Sequence, residues 1–365
     1  MSRADVLITA DELAALLGVA STPPTSPQAS DTPPPVLLDV RWRLGEPHGA
    51  GAQRYAATHL PGARFLDLEK VLTRHTADPR DGRHPLPDPA ELDAALRAVG
   101  VTSGTRVVVY DEAGSFAAGR AWWVLRWAGY DVRVLDGGID AWIAQGYAVS
   151  SGPEAPAVPR PSPMPADVDI STARSTDIST AQSTAASPDP SGAHHPTLPL
   201  LSADEAAAIP AAGGVLVDVR APERFRGETE PLDPVAGHIP GAINLPVSGL
   251  FASAADPHPG ALPPEASLRE RLAPLIEAVA AGRPIGVYCG SGVSAAQAVL
   301  ALATLGIDAP LYAGSWSAWS NDPSRPVATG PAAGSEAGPE TSPDPGSETV
   351  PEARPAAGPV PPALL

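Results

Sequence analysis

The chain carries one pattern of motifs twice, and this duplication constrains the fold more than any other feature of the sequence. LLDVR at 37–41 returns as LVDVR at 216–220, and HLPGA at 59–63 returns as HIPGA at 238–242. A longer third block also recurs, and the offset between copies stays at 177 to 179 residues. Because chance matches would not hold one offset, we predict a tandem duplication of a single domain.

Each copy alternates between two kinds of segment. Short apolar runs such as 36–40, 285–288 and 309–312 are typical of strands in a parallel sheet that is buried on both faces. Longer stretches such as 89–100 and 267–282 have apolar residues three and four apart and end in glycine, which predicts helices. The fold class is therefore predicted to be α/β, with two tandem doubly wound domains, each a parallel sheet flanked by helices.

The 46 prolines and 34 glycines are too many for compact structure throughout. Three segments are of low complexity and are predicted to be disordered: an insertion at about 20–35 rich in Pro, Ser and Thr, a linker at 150–199 rich in Ser, Thr, Ala and Pro, and a tail at 329–365 rich in Pro, Ala, Gly and Glu. The two folded domains are accordingly predicted at 1–149 and 200–328.

The formal charge of −17 disfavours nucleic acid and anionic membrane surfaces as partners, which leaves proteins and small molecules. A lone cysteine forms no internal disulfide and favours a reducing compartment. The N-terminus lacks the apolar core of a signal peptide, and no apolar run reaches the ~18 residues of a membrane span. We therefore expect a cytoplasmic protein. The histidines and the cysteine show no spacing typical of metal ligands. The glycines form neither a phosphate-binding loop nor a dinucleotide-binding motif, so no cofactor is indicated.

The only cysteine, Cys289, begins a glycine-rich turn between a predicted strand and a predicted helix at 294–306. Such a turn lies at the carboxyl edge of a parallel sheet, where α/β proteins bind ligands. Its N–H groups and the helix dipole favour a thiolate, so Cys289 is predicted to be a nucleophile rather than a small buried apolar residue. The first copy has Asp111 at the equivalent position.

The same turn limits what the thiolate attacks. A cysteine-dependent phosphatase needs an arginine six residues after its cysteine to bind phosphoryl oxygens, and that position is Ala295. A phosphatase or arsenate reductase is thus disfavoured. A cradle of N–H groups without fixed cations suits a softer anion such as a persulfide.

Several motifs together resemble the two-domain rhodanese-like sulfurtransferases, whose first domain is inactive and whose second is active. They are the paired HxPGA and DVR motifs, ERFRG at 223–227, DGG before Trp142, and AGSWSAW at 313–319. The resemblance covers roughly 5–148 and 200–328. Within the family, CGSGVS at 289–294 resembles the loop of 3-mercaptopyruvate sulfurtransferases, whereas thiosulfate enzymes typically carry Arg and Lys after the cysteine.

The resemblance implies a reaction and a set of site residues. Cys289 would take sulfur from a small anionic donor, pyruvate would leave as its enolate, and the persulfide would pass to cyanide or a thiol, such as that of a thioredoxin-like protein. Ser291 would transfer a proton, supported by His84 and Asp67, and Arg224 would bind the substrate carboxylate. The loop residues that would contact substrate are Gly290, Gly292, Val293 and Ser294.

One departure from the family pattern leaves the donor open. Mercaptopyruvate enzymes often have a second arginine shortly after ERF, and the segment at 228–234 reads ETEPLDP. Thiosulfate therefore stays an alternative donor. Arg224 also fits an ordinary ion pair, and His84 with Asp67 fits a domain contact. The alternative function is a non-enzymatic persulfide carrier for a protein partner.

Overall fold

The computed structural model describes residues 1–19, 33–113, 115–152, 198–252 and 259–332. The predicted insertion, linker and tail lie outside the described residues except at their ends, and the predicted domain boundaries stay predictions. None of the helices within the described ranges is long and apolar enough to cross a membrane.

The strands of four and five residues form in short apolar runs, as the sequence predicts, whereas the sequence does not predict the three strands of two residues. In chain order the strands are β1 (Leu7–Ile8), β2 (Val36–Asp39), β3 (Arg64–Phe65), β4 (Arg106–Tyr110), β5 (Asp131–Leu135), β6 (Val215–Asp218), β7 (Ile243–Asn244) and β8 (Ile285–Tyr288).

The helices alternate with the strands and flank the sheets. They are α1 (Arg3–Val6), α2 (Ala10–Leu17), α3 (Ala50–Ala57), α4 (Leu68–Val71), α5 (Pro89–Ala98), α6 (Ala117–Trp127), α7 (Gly138–Ala144), α8 (Ala203–Ala211), α9 (Pro222–Phe225), α10 (Glu265–Arg271), α11 (Ala273–Ala280), α12 (Val293–Thr304) and α13 (Ser315–Trp319), with 3₁₀ turns at Pro79–Asp81 and Val247–Gly249.

The two sheets share one strand order, which confirms the duplication in three dimensions. In the described residues, the first sheet is parallel throughout, with the order β3-β2-β4-β5-β1. The second sheet begins with the matching order β7-β6-β8 and continues through parallel bridges from Val287 to Leu311 and from Leu311 to Leu200. Leu311 and Leu200 thus occupy the positions of β5 and β1.

The prediction of a full strand at 309–312 is wrong, because pairing there shrinks to a bridge at Leu311. Pro310 and its neighbour across the ladder, Pro199, have no N–H to donate, and proline is poorly tolerated inside a sheet. The backbone oxygens of both prolines still accept ladder bonds, from Val287 and Leu311.

The single helix expected at 267–282 is instead two helices, α10 and α11, which meet at Leu272. Pro274 lies in the first turn of α11, where a missing N–H is harmless. In one continuous helix its ring would clash with the carbonyl of Glu270, so the chain breaks before it.

The helices after the equivalent strands β4 and β8 pack against each other across the domain boundary. α6 and α12 are buried almost completely, and both contribute to one apolar core that joins the two domains. Gly119 permits this close approach, since a Cβ there would lie 2.7 Å from Cα of Gln297. The β8–α12 turn is thereby placed against the first domain.

Candidate active site

The turn after β8 curls around the sulfur of Cys289. Cys289 is 1% exposed, and the N–H of Gly292 donates to its Sγ atom at 3.1 Å. Gly292 adopts a left-handed conformation (φ +81°), and a Cβ there would lie 2.5 Å from the carbonyl oxygen of Ala313, so both geometry and space require glycine. α12 begins at Val293, so its N-terminus adjoins the sulfur.

The segment 312–317 holds this turn in place from the other side. The buried hydroxyl of Ser315 accepts the N–H of Cys289 at 3.1 Å and lies 3.9 Å from Sγ. The N–H groups of Trp316 and Ser317 donate to the carbonyls of Cys289 and Gly290 at 2.9 and 2.8 Å. The sequence presents AGSWSAW as a family motif but does not indicate that Ser315 contacts the cysteine turn, because that contact becomes visible only in three dimensions.

A residue of the first domain reaches this turn. Nδ1 of His84 lies 2.7 Å from Oγ of Ser291, and both residues are buried. Desolvation, followed by the charges of Arg120 and Arg83, lowers the pKa of His84 from 6.5 to about 3. The imidazole is therefore neutral near pH 7, and one of its nitrogens is free to accept a proton.

Asp67 does not join His84 and Ser291. It is the N-cap of α4, where its Oδ1 accepts the N–H groups of Glu69 and Lys70 and its other oxygen pairs with Lys70 Nζ at 3.3 Å. A carboxylate is a preferred N-cap because it binds N–H groups that the helix leaves unpaired. His84 instead packs edge-on against the ring of Trp42, with ring centroids 5.2 Å apart.

Arg224 lies over the turn, within a network of buried charges. Its guanidinium pairs with Glu230 at 2.6 Å and with Asp233 at 3.3 Å. A Cβ on Gly290 would lie 3.5 Å from Nη1 of Arg224 and 3.0 Å from Nη2 of Arg83. The sequence predicted Arg224 at the site but gave no role to Arg83, because nothing in the sequence shows which side chain of 82–87 crosses between domains.

A cavity of about 490 Å³ lies between the domains, and most of these site residues line it. Its lining includes every predicted site residue except Gly292, His84 and Asp67. The residues that line it are Trp42, Arg43, Leu44, Arg83, Ser115 and Phe116 of the first domain, and Val219, Arg220, Ala221, Arg224, Val247, Ser248, Cys289, Gly290, Ser291, Val293 and Ser294 of the second. In the part of the chain that is described, no three His, Cys, Asp or Glu side chains converge as a metal site would require.

The equivalent turn of the first domain has a carboxyl group where the second has a thiol. Asp111 accepts the N–H of Ala118 at 2.9 Å, and burial raises its pKa to about 7. A carboxyl group forms no persulfide, and of the two related turns the one in the second domain carries a thiol.

A buried thiol that accepts a backbone N–H beside a helix N-terminus, at the carboxyl edge of one sheet in a duplicated α/β fold, defines a class of protein. The model of the rhodanese-like domain matches the chain twice, at 25–145 and 202–322. The chain therefore belongs to the rhodanese-like family.

Its relatives are sulfurtransferases. A protein of Mycobacterium tuberculosis (strain H37Rv) named thiosulfate sulfurtransferase SseB is 43% identical over 333 residues, which cover 91% of this chain and 99% of that protein. The 3-mercaptopyruvate sulfurtransferase of Escherichia coli K12 is 32% identical over 304 residues, covering 81% and 93%. The crystal structure of the 3-mercaptopyruvate sulfurtransferase SseA from E. coli superposes with a TM-score of 0.61 at 29% identity, covering 85% of this chain and 98% of the other. The chain thus stands among the sulfurtransferase members of its family.

Proposed function

We propose that the chain transfers sulfane sulfur from a small anionic donor, with 3-mercaptopyruvate preferred to thiosulfate, through a persulfide on Cys289. The observation that carries the proposal is that Cys289 and Arg224 line one cavity together with Ser291, whose hydroxyl is hydrogen-bonded to His84. A nucleophilic sulfur, a cation for the donor's anionic group and a hydrogen-bonded hydroxyl then act on one small molecule.

In the first half-reaction, the Cys289 thiolate attacks the sulfur of 3-mercaptopyruvate. The new S–S bond forms as the donor's C–S bond breaks, and the electron pair of that bond passes to the CH₂ carbon, which leaves as the enolate of pyruvate. The N–H of Gly292 and the N-terminus of α12 stabilise negative charge on the sulfur throughout.

The enolate then takes up one proton to become pyruvate. Ser291 is suited to deliver it, because this residue lines the cavity and its hydroxyl hydrogen-bonds the neutral ring of His84. The proton lost from the hydroxyl is restored from the S–H of the new persulfide, which becomes the anion. Cysteine thiolate and 3-mercaptopyruvate thus give cysteine persulfide anion and pyruvate without an outside proton.

In the second half-reaction, cyanide or a thiolate attacks the outer sulfur and releases the Cys289 thiolate. The proposed physiological acceptor is a thiol, such as that of a thioredoxin-like protein. A free thiol nucleophile suits a reducing compartment such as the cytoplasm, and this location remains a prediction from the sequence.

The test is the steady-state kcat/KM for 3-mercaptopyruvate and for thiosulfate on one preparation, with cyanide or a dithiol as acceptor. Cys289→Ser is expected to abolish both activities while the protein stays folded, and Asp111→Asn, at the equivalent turn of the first domain, is expected to keep them. Preference for thiosulfate would overturn the proposed donor. A protein that loads one sulfur per chain and never turns over would be a carrier instead, and sulfur transfer by Cys289→Ser would refute the mechanism.

A further inference from the structure

The segment 228–234, which lacks the expected second arginine, contains an acidic residue that pairs with an arginine of the first domain. Asp233 lies in this segment with its side chain 2% exposed. It pairs with Arg224 of its own domain and also with Arg83 of the first domain, through Arg83 Nη1. Two guanidinium groups from different domains therefore meet at one buried carboxylate.

The backbone around Arg83 is fixed against the second domain. The N–H of Arg83 donates to Oγ of Ser317 at 3.1 Å. Gly82, just before it, has a left-handed conformation (φ +86°), and a Cβ there would lie 2.9 Å from both the carbonyl oxygen of Gly314 and Oγ of Ser317. This close contact sets the direction in which Arg83 leaves the first domain.

The guanidinium of Arg83 ends at the cysteine turn. Its Nη2 atom would be 3.0 Å from a Cβ on Gly290, closer than either terminal nitrogen of Arg224. Both arginines line the cavity that contains Cys289. Among the described residues, Nε of Arg83 is buried and has no hydrogen-bond partner, so the side chain has donor capacity that its ion pair with Asp233 leaves unused.

The charges explain how an anion is accommodated. Arg220 is tied to Asp218 and Glu230. Arg224 pairs with Glu230 as well as with Asp233, and it shares Asp233 with Arg83. In the described residues, Arg83 and Arg224 make four hydrogen bonds to Glu230 and Asp233, whereas two guanidinium groups together offer ten N–H donors. Donors therefore remain for a second anion, and that anion competes with Asp233 for them.

We propose that Arg83 is a substrate-binding residue which, together with Arg224, holds the anionic group of the sulfur donor. Arg83 takes the place of the second arginine missing from 228–234, so both domains complete the anion site. The proposal deepens the proposed function and rests on it, since the donor is the anion that is held. Asp233 orients both arginines and weakens the site by competing with the donor.

The test uses the fact that Cys289 is the only cysteine in the chain. Iodoacetate and iodoacetamide alkylate a thiolate by the same displacement of iodide, but only iodoacetate carries a carboxylate. The ratio of the two rate constants therefore reports anion capture beside Cys289 and requires no sulfur transfer. The rate constants are measured for the wild type and for Arg83→Ala, Arg80→Ala and Asp233→Asn.

Arg83→Ala is expected to lower the iodoacetate-to-iodoacetamide ratio about tenfold or more, as the loss of charge-assisted hydrogen bonds implies. Asp233→Asn is expected to raise it, because the competing charge is gone. Arg80→Ala is the matched control: Arg80 is an exposed arginine three residues away that pairs with Asp78, and its removal should leave the ratio unchanged.

A purely structural Arg83–Asp233 pair gives a different pattern, in which both substitutions lower the stability of the protein and the alkylation ratio stays at the wild-type value. That result would overturn the proposal, and Asp233→Asn keeps the test valid even if Arg83→Ala fails to fold. In turnover, Arg83→Ala should raise the KM for 3-mercaptopyruvate more than it lowers kcat. If the wild type shows no turnover while the alkylation ratio behaves as expected, the proposed function fails and the anion site stands.

Discussion

Nδ1 of His84 and Oγ of Ser291 lie 2.7 Å apart although 207 residues separate them in the chain, and they come from different domains. The hydrogen bond forms only when the two copies pack through α6 and α12. The cysteine turn of one copy is thus contacted by a side chain of the other, and the proposed mechanism draws on the first domain although its own turn has Asp111 in place of a cysteine.

Ser291→Ala should affect the two sulfur donors differently. Pyruvate leaves as a carbanion equivalent that needs a proton, whereas thiosulfate releases sulfite, which needs none. We expect kcat for 3-mercaptopyruvate to fall by about 10²-fold, and kcat for thiosulfate to change little. Steady-state kinetics with both donors on the same enzyme measures this, and thiosulfate is the internal control. Equal loss with both donors would assign Ser291 to the shape of the turn instead.

Burial of neutral His84 makes the stability of the protein depend on pH. The unfolded chain binds a proton at this residue below pH 6.5, whereas the folded protein binds it only near pH 3. The free energy of unfolding should therefore fall as pH drops from 6.5 toward 3, by about 1.4 kcal/mol per pH unit from this residue.

His84→Gln removes that contribution. Its free energy of unfolding, measured by urea denaturation at several pH values across this window, should depend less steeply on pH than that of the wild type. The difference between the two slopes should correspond to about one proton taken up on unfolding. Parallel curves for the two proteins would show that His84 titrates equally in the folded and unfolded states.

The sequence predicted the duplication, the parallel sheets and the cysteine turn, because apolar runs, glycine positions and a fixed offset are local or periodic signals. It did not predict the break before Pro274 or the reduced strand at Leu311, where a proline overrides an apolar pattern. It placed Asp67 beside His84, whereas Asp67 caps α4. The approach of Arg83 to Gly290 depends on domain packing, which no local pattern encodes.

Arg224→Ala should weaken the binding of an anionic donor. The lost charge-assisted hydrogen bonds correspond to roughly 1.5–3 kcal/mol, or a rise in KM of roughly 10- to 150-fold. Arg226→Ala is the matched control, since Arg226 lies two residues away and pairs at the surface with Glu228. The comparison of KM for 3-mercaptopyruvate in the two variants checks this. An equal effect in both would mean that Arg224 binds no substrate.

Ser315 combines a strained backbone with a buried hydrogen bond, and two substitutions separate these contributions. Its φ is +54°, a region that disfavours residues with a Cβ, and its hydroxyl accepts the N–H of Cys289. Ser315→Ala keeps the strain and leaves that N–H unpaired, so it should destabilise the protein by about 1–3 kcal/mol. Ser315→Gly loses the same bond but relieves the strain, and should be about 1 kcal/mol more stable than the alanine variant.

Urea denaturation of both variants measures the difference, with Ser320→Ala as the control. Ser320 is also buried at the end of α13, but its hydroxyl has no partner within the described residues. Its removal should therefore leave the free energy of unfolding nearly unchanged. If the alanine variant at position 315 proved as stable as the glycine variant, the left-handed conformation of Ser315 would carry no strain. If both matched the wild type, the Cys289 N–H would have another acceptor, and the hold of 312–317 on the cysteine turn would not depend on Ser315.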